Sequence, residues 1–426
     1  MNARPGPDWR PLLAIYWLTS FIEGWGVAQI YAFMPNRLRE VGVTAADIPH
    51  YVGILGAMFF LTGLPLIPLW GVWADKYSRK AVIIRSALVE AVVFGVIAAS
   101  QTTWQLVIGM MLVGFQLGNS GVMMAAIRDV TPRHRLGLAM GIFAASSPLG
   151  FGAGPAIGGF MIDELHYSSG AVFALASILS VGIALALAVG SKEVRPEVVP
   201  VGSTVRLAFG AVRGVMSDPI VRWLFVIYGL VFVGRQMSTP YMTVLVHNVE
   251  GKSFLVAGSV GLVLGLSQIV GAGVSPLGGW VADRLGFRAV LVAAIGGMAV
   301  AFALLAVGTT VAWLAVTYGL AIAFGTVVAA MISGLLATEA PAERRSATLN
   351  LIYLPLYIGG IAGPAIGAGV VTAGTPAVFM VAAAVLTGAT VVAAVFARRT
   401  GEHGPVAAAT HTDSVAAPPA ATEVSD

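Results

Sequence analysis

The sequence predicts an all-α polytopic membrane protein with twelve membrane-spanning helices arranged as two six-helix bundles. Three observations predict it. Apolar residues make up 58% of the 426 and charged residues 10%, with a mean hydropathy of +0.88, against roughly 45–50% and 25% in a soluble domain. The apolar residues fall in twelve stretches, each near the ~20 residues that cross ~30 Å of hydrocarbon. The second six stretches repeat the sequence marks of the first in one register.

In order, the first span is Leu12–Pro35, behind a polar N-terminus (1–11); its apolar run is too long for a signal peptide and lacks a small-residue cleavage site, so it is expected to stay uncleaved. The next five are Tyr51–Ala74, Ala81–Ser100, Trp104–Ile127, Leu136–Ile162 and Ala171–Gly190, completing a first bundle over 12–190. A polar linker, 191–219, separates it from a second bundle over 220–397. That bundle holds Trp223–Val246, Phe254–Ala282, Ala289–Val307, Val311–Ala337, Ala347–Thr372 and Ala377–Ala397. Each span satisfies its own backbone amides as a helix, which lipid demands. The tail, 398–426, is rich in Ala, Thr, Pro and Gly and is expected to be disordered.

Composition also excludes function classes. Cysteine is absent, which removes disulfides, thiolate metal sites and thiol nucleophiles. The histidines His50, His134, His166, His247, His403 and His411 all read as loop or tail, so no metal site is expected within the spans. The net charge of +4 is spread singly between apolar stretches rather than gathered on one stripe, which argues against nucleic acid. No reactive constellation at an interface points to an enzyme, and no cofactor is expected.

The basic residues report topology instead. Of 24 Lys and Arg, Arg37, Arg39 and Lys252 fall in odd-numbered loops and Arg235 in a span, leaving 20 on the other side. The positive-inside rule makes that side cytoplasmic, with both termini on it and the bilayer as cell inner membrane.

The halves share motifs. Gly71-x3-Asp75-Lys76-x2-Arg79-Lys80 recurs as Gly279-x3-Asp283-Arg284-x3-Arg288, 208 residues on. Gly154-Pro155-x2-Gly158 recurs as Gly363-Pro364-x2-Gly367, 209 residues on, and Arg135 matches Arg344. Parallel repeats of this kind form transporters whose site lies at the repeat interface.

On those residues the chain, over about 12–397, resembles a major facilitator superfamily transporter. The loops at Asp75 and Asp283 resemble the superfamily's signature loop. Gly141, Gly150, Gly154, Pro155, Gly158 and Gly159 fit the fifth-helix pattern of its drug:proton antiporters, and with Arg235-x4-Pro240 they resemble the twelve-helix multidrug and tetracycline exporters. Those exporters carry an Arg in the fourth span four residues before a Gly; aligned on Gly118, that position here is Gly114, which leaves the relay role without a bearer there. The resemblance further implies that the first, fourth, seventh and tenth helices line a cavity while the third lies outside.

Ionisable groups within hydrocarbon mark function by default. Three are expected deep in spans: Glu23 in the first, Glu90 in the third and Arg235 in the seventh. The implied arrangement makes Glu90 a structural residue bonded to a neighbouring helix, and puts Glu23 and Arg235 across the cavity from one another, as proton carrier and as partner or anion anchor. A low-dielectric cavity disfavours the charged form of a carboxylate, which lets such a group load and lose a proton. Tyr228, Phe232, Arg235 and Thr239 recur on one face of the seventh helix, where aromatics can stack on a cationic or lipophilic substrate or simply pack. Gln116 and Asn119 in the fourth span and Gln268 in the eighth offer hydrogen bonds to substrate or between helices.

The signature loops are expected to latch the halves. Asp75 can accept from the free amides at the start of a helix in the other half, which the resemblance implies is the eleventh, near Ala347, with Gly71, Arg79 or Lys80 and Asp129 completing the network; Gly279, Asp283, Arg284, Arg288 and Glu339 would repeat it. The expected function is alternating-access efflux of small amphipathic molecules by a monomer, driven by the proton gradient. Two rivals stand beside it: a metabolite importer or uniporter of the same fold, and a non-transporting membrane sensor or scaffold.

Overall fold

The computed structural model describes residues 9–196, 199, 201–250, 257–339, 351 and 354–401. Among them ten helices are long and apolar enough to cross a membrane. Helices α1 (Trp9–Glu40) and α12 (Ala257–Leu285) bring the rods to twelve; at 32 and 29 residues they are roughly 40 Å or more long. Three spans are interrupted. The second is α2 (Ile48–Leu61) and α3 (Gly63–Lys76), parted where Pro65 lacks an amide and its ring crowds the carbonyl of Leu61. The fourth is α5 (Thr103–Gln116) and α6 (Ser120–Val130), parted at Gly118, whose φ of +96° a side chain rarely tolerates. The seventh is α10 (Pro219–Ser238), a 3-10 turn over Thr239–Tyr241 that contains Pro240, and α11 (Met242–Glu250).

The remaining spans are continuous: α4 (Arg79–Ala99), α7 (Leu136–Asp163), α8 (Ser169–Gly190), α13 (Phe287–Ala306), α14 (Val311–Glu339), α15 (Leu354–Val370) and α16 (Thr375–Gly401). The linker contributes α9 (Thr204–Val215), packed against α3. Large apolar side chains point outward as well as inward, as on Ile178 (66% exposed) and Leu185 (63%), the pattern of helices solvated by lipid.

Packing repeats between the halves as the motifs do. In the first, α1 lies against α7 and α8, and α4 against α8; in the second, α10 lies against α15 and α16, and α13 against α16. Glycine permits the tightest of these crossings. A Cβ on Gly150 would stand 2.1 Å from the carbonyl oxygen of Phe21, and one on Gly363 2.6 Å from the carbonyl oxygen of Val233. Between the halves α7 packs on α12 and α2 on α15.

The structure corrects three sequence readings. His247 lies buried in α11 and His50 in the first turn of α2, rather than in loops. Arg37 belongs to the last turn of α1, where Nε and Nη2 donate to the carbonyls of Ile97, Ala98 and Ser100 and so cap the end of α4. Arg85, counted above with the loop charges, lies within α4. The expected sites at Arg344 and Ala347 and the tail from 402 onward lie outside the described residues.

Candidate transport cavity

A cavity of about 560 Å³ lies between the halves. It runs from Tyr31 and Phe232, deep in the protein, to Asp75, Gly71 and Ala208 of α9, so it opens at the end where the Asp75 loop lies. The opposite end is sealed. There Thr243 Oγ1 donates to the carbonyl of Tyr31 over 2.8 Å, His50 Nδ1 lies 3.3 Å from the carbonyl oxygen of Ala368, and the amide of Gly258 donates to Asp163 over 2.6 Å. Each contact joins one half to the other.

The cavity wall is mostly apolar and aromatic, with Phe59, Phe60, Phe232 and Tyr357 among its residues. Besides Asp75 at the open end, two residues of opposite charge interrupt it. Glu23 lines it from α1, and Asn119 Nδ2 donates to its Oε2 over 3.0 Å. Arg235 lines it from α10, within electrostatic reach of the Tyr31 and Tyr318 hydroxyls on the first and tenth spans. The two do not pair: Arg235 forms no ion pair among the described residues.

The other candidates divide. Thr239 and Gln268 line the cavity, and Thr239 Oγ1 bonds the carbonyl of Arg235. Tyr228 does not line it; its ring packs on Phe232 at 4.5 Å within the core. Gln116 is buried behind the wall. Glu90 is also buried, and its Oε1 has no hydrogen-bond partner, so the expected bond to a neighbouring helix is missing from that atom.

Arg85 was missed because its place near the start of an apolar run makes it look like a flanking topology charge. It earns its position through the break in the fourth span. That break frees the carbonyls of Gln116 and Leu117, and Arg85 Nη2 reaches both, at 3.4 and 3.3 Å, while Ser86 Oγ donates to the first. The guanidinium stacks 3.7 Å over the Trp70 ring. Gly114 shows why no arginine stands at that point of the fourth span. Its Cβ would lie 1.9 Å from Thr62 Oγ1 and 2.3 Å from the Gly63 amide.

The signature-loop residues gather around Arg79, which is 2% exposed. Its Nε donates to Asp75 over 2.9 Å and its Nη1 to Asp129 over 2.7 Å. Lys80 stays apart and donates to the carbonyls of Ala188 and Ser191. Glu193 of the linker, another residue sequence reasoning missed, accepts from Ser78 Oγ and the Arg79 amide and so caps α4 with an anion. In the second half Arg288 bonds Glu339 over 2.6 Å, Arg284 stacks on Trp280, and the Asp283 side chain lies outside the described residues. Gly71 and Gly279 have open space where a Cβ would point.

The fifth-helix motif is a packing surface. Gly150, Gly154 and Gly158 meet the backbone or rings of α1, Gln29 donates to the carbonyl of Gly154, and Pro155 presents its carbonyl to Gly261 of α12. Gly159 is buried, whereas a Cβ on Gly141 would meet nothing within 4 Å.

Residues 16–277 and 255–422 match the family described as Major Facilitator Superfamily. The chain is 27% identical over 291 residues to "Multidrug resistance protein MdtG" of Klebsiella pneumoniae (strain 342), covering 68% of this chain and 69% of that one. It is 28% identical to the protein of that name from Salmonella typhi, covering 68% and 70%. Among solved structures, a mutant of the nucleoside transporter NupG superposes with a TM-score of 0.75 at 16% identity, covering 91% of this chain and all of that one. The human organic anion transporter MFSD10 (TETRAN) superposes with a TM-score of 0.69 at 18% identity, covering 91% and 100%.

Proposed function

The chain belongs to the major facilitator superfamily, and on that premise we propose that it exports small amphipathic molecules across a cell inner membrane in exchange for protons. The observation that carries the reading is Glu23, a carboxylate held by Asn119 on the wall of a cavity open at one end only. The two halves, 12–190 and 220–397, rock about the cavity, with 191–219 as their tether and 1–11 and 398–426 as cytoplasmic ends. The basic side is cytoplasmic, so the open end faces the cytoplasm and the arrangement is inward-facing.

Substrate enters from the cytoplasm or inner leaflet and lies against the aromatic wall, near a deprotonated Glu23. Closure of the Asp75 end around Arg79 then opens the far end. There a proton loads Glu23, removes its charge and lowers the affinity for a cationic or polar head, and substrate leaves. Arg235 with Tyr31 and Tyr318 anchors the acceptor end of the substrate. The names of the MdtG relatives support export of drugs. A monomer suffices, since one chain encloses the cavity.

The test is flux of a panel of amphipathic dyes in proteoliposomes under pH gradients of both signs. Glu23→Gln keeps the shape of the side chain but carries no exchangeable acid proton. It is expected to lose gradient-driven accumulation while still exchanging dye between equal concentrations. Unchanged gradient dependence in this variant would overturn the reading.

A further inference from the structure

Behind the cavity wall lies a cluster that Glu23 alone does not account for. Glu23 and Gly26 stand one turn apart on the same face of α1. At Gly26 the absence of a side chain admits Glu90 of α4, whose Oε1 would lie 3.0 Å from a Cβ there. Glu90 is 4% exposed, and this oxygen has no hydrogen-bond partner. On the other side of Glu23, Arg85 reaches the carbonyl of Leu117, two residues from the Asn119 that holds the Glu23 carboxylate. Arg85 Nη1 is likewise buried without a hydrogen bond. The three charges act on one another: Glu23 on Glu90 and on Arg85.

Among the described residues, Arg85 is the one cation that acts on this pair of carboxylates. The other helices packed against α1 and α4 are α2, α3, α5, α6, α7, α8, α11 and α12. Their ionisable groups are His50 and Tyr51 at the start of α2, Asp75 and Lys76 at the end of α3, Arg128 and Asp129 at the end of α6, Asp163 at the end of α7, His247 and Glu250 in α11 and Asp283 and Arg284 at the end of α12. Asp129 is already bound to Arg79 and Arg128. Arg235 faces the cavity from the other half.

We propose that Glu23, Glu90 and Arg85 form one proton-binding unit, in which the guanidinium neutralises one carboxylate and the other holds a single exchangeable proton. This rests on Glu23 being the proton carrier and names its partners. Two carboxylates and one guanidinium carry a net charge of −1 when all are ionised and zero with one proton bound, and a low-dielectric site favours the neutral count. Glu23, which lines the cavity, is the member through which the proton enters and leaves. Glu90 is the reserve behind it, so that the proton withdraws from the cavity without crossing the membrane. Arg85 does the work of a fixed counter-charge, from the third span, because Gly114 is closed to any side chain.

The unit is tested without a substrate, by infrared difference spectroscopy during a pH titration of the full chain in lipid nanodiscs. The signal is the high-frequency C=O stretch of carboxylic acids in apolar surroundings. The parent should show the amplitude of one carboxyl. Glu23→Gln and Glu90→Gln should each lose the band, because the remaining carboxylate is neutralised by Arg85. Arg85→Gln should double it, and Glu90→Asp, which keeps the acid, should retain it. A parental band in Glu90→Gln would show that Glu23 acts alone, and a single-carboxyl band in Arg85→Gln would remove the arginine from the unit; either overturns the proposal. Dye flux in the same variants is read separately. Bands as expected with flux indifferent to pH would leave the unit standing and overturn the exchange of substrate for protons.

Discussion

Asn119 Nδ2 donates to Glu23 Oε2 over 3.0 Å and so joins the first and fourth spans on the cavity wall. The break at Gly118 makes this possible, since it turns the Asn119 side chain out of a continuous helix and into the site. A hydrogen bond to a charged group contributes about 1.5–3 kcal/mol. Asn119→Leu is therefore expected to lower gradient-driven dye flux by roughly tenfold or more while the protein still inserts and purifies. A parental rate in Asn119→Leu would show that the bond takes no part in transport.

Arg79 bridges Asp75 and Asp129 from a buried position, whereas the ammonium of Lys80 next to it donates to carbonyls. Without the guanidinium Asp75 loses its ion-pair partner and Asp129 keeps only the exposed Arg128. Both are partly exposed, so the loss is about 1–3 kcal/mol rather than the full amount for a buried pair. Thermal unfolding in detergent should show Arg79→Gln destabilised by that order and Lys80→Gln near the parent. Equal effects of the two substitutions would dissolve the distinction between bridge and topology charge.

The spans were legible because their lengths and apolar content answer directly to the thickness of a bilayer, and the repeat because Asp75 and Asp283 stand in matching motifs at the ends of their helices. Glu23 stood out for a similar reason: a carboxylate in an apolar run has few roles. Asn119 was legible as a hydrogen-bonding residue of the fourth span, but its pairing with Glu23 was not, because the two are 96 residues apart and only the bend at Gly118 brings them together. Arg85 was hidden by a rule that usually serves well, since a cation near the start of an apolar run is most often a topology signal. Its role depends on carbonyls that a helix break sets free, and hydropathy does not register such a break. Arg37 was hidden likewise, because a cation after the apolar run of α1 read as loop when its helix continues to Glu40.

The glycine motif of α7 separates into positions that pack and one that does not. A Cβ at Gly150 meets the backbone of Phe21 and Trp25, which cannot rotate away, while Gly141 faces open space. Gly150→Ala is expected to cost about 1–3 kcal/mol as overpacking. Gly141→Ala is expected to be neutral or slightly stabilising, since alanine favours a helix by roughly 1 kcal/mol over glycine. Unfolding midpoints of the two variants decide the matter, and a destabilised Gly141→Ala would point to a partner for that face in the membrane.

The proposed topology puts both termini on the strongly basic side, the side to which the mouth of the cavity opens. A reporter active only in the cytoplasm should therefore work when fused after Lys80, within 191–219 and after Arg399, and fail near Asp47 and Asp163. The reverse pattern would invert the membrane orientation and turn the inward-facing cavity into an outward-facing one.

Gly114 gives the sharpest test of why the fixed cation sits on α4. Thr62 Oγ1 donates to the carbonyl of Met111 where the second and fourth spans cross, and the backbone of Gly63 lies against Gly114. Any side chain there must push apart two backbones already joined by that bond. Gly114→Ala is thus expected to lose stability near the upper end of the ~1–3 kcal/mol typical of overpacking. Gly114→Arg should fail to accumulate as folded protein, because it adds a desolvated charge to the same clash. The informative variant is the double one, Gly114→Arg with Arg85→Gln. If the two positions were interchangeable sites for one cation, the double variant would regain the flux that Arg85→Gln loses. The packing around Thr62 predicts no recovery in flux and no accumulation of folded double variant, whereas Arg85→Gln alone still folds. Recovery would show that the second span yields at this crossing, and that Arg85 owes its place to something other than the closure of position 114.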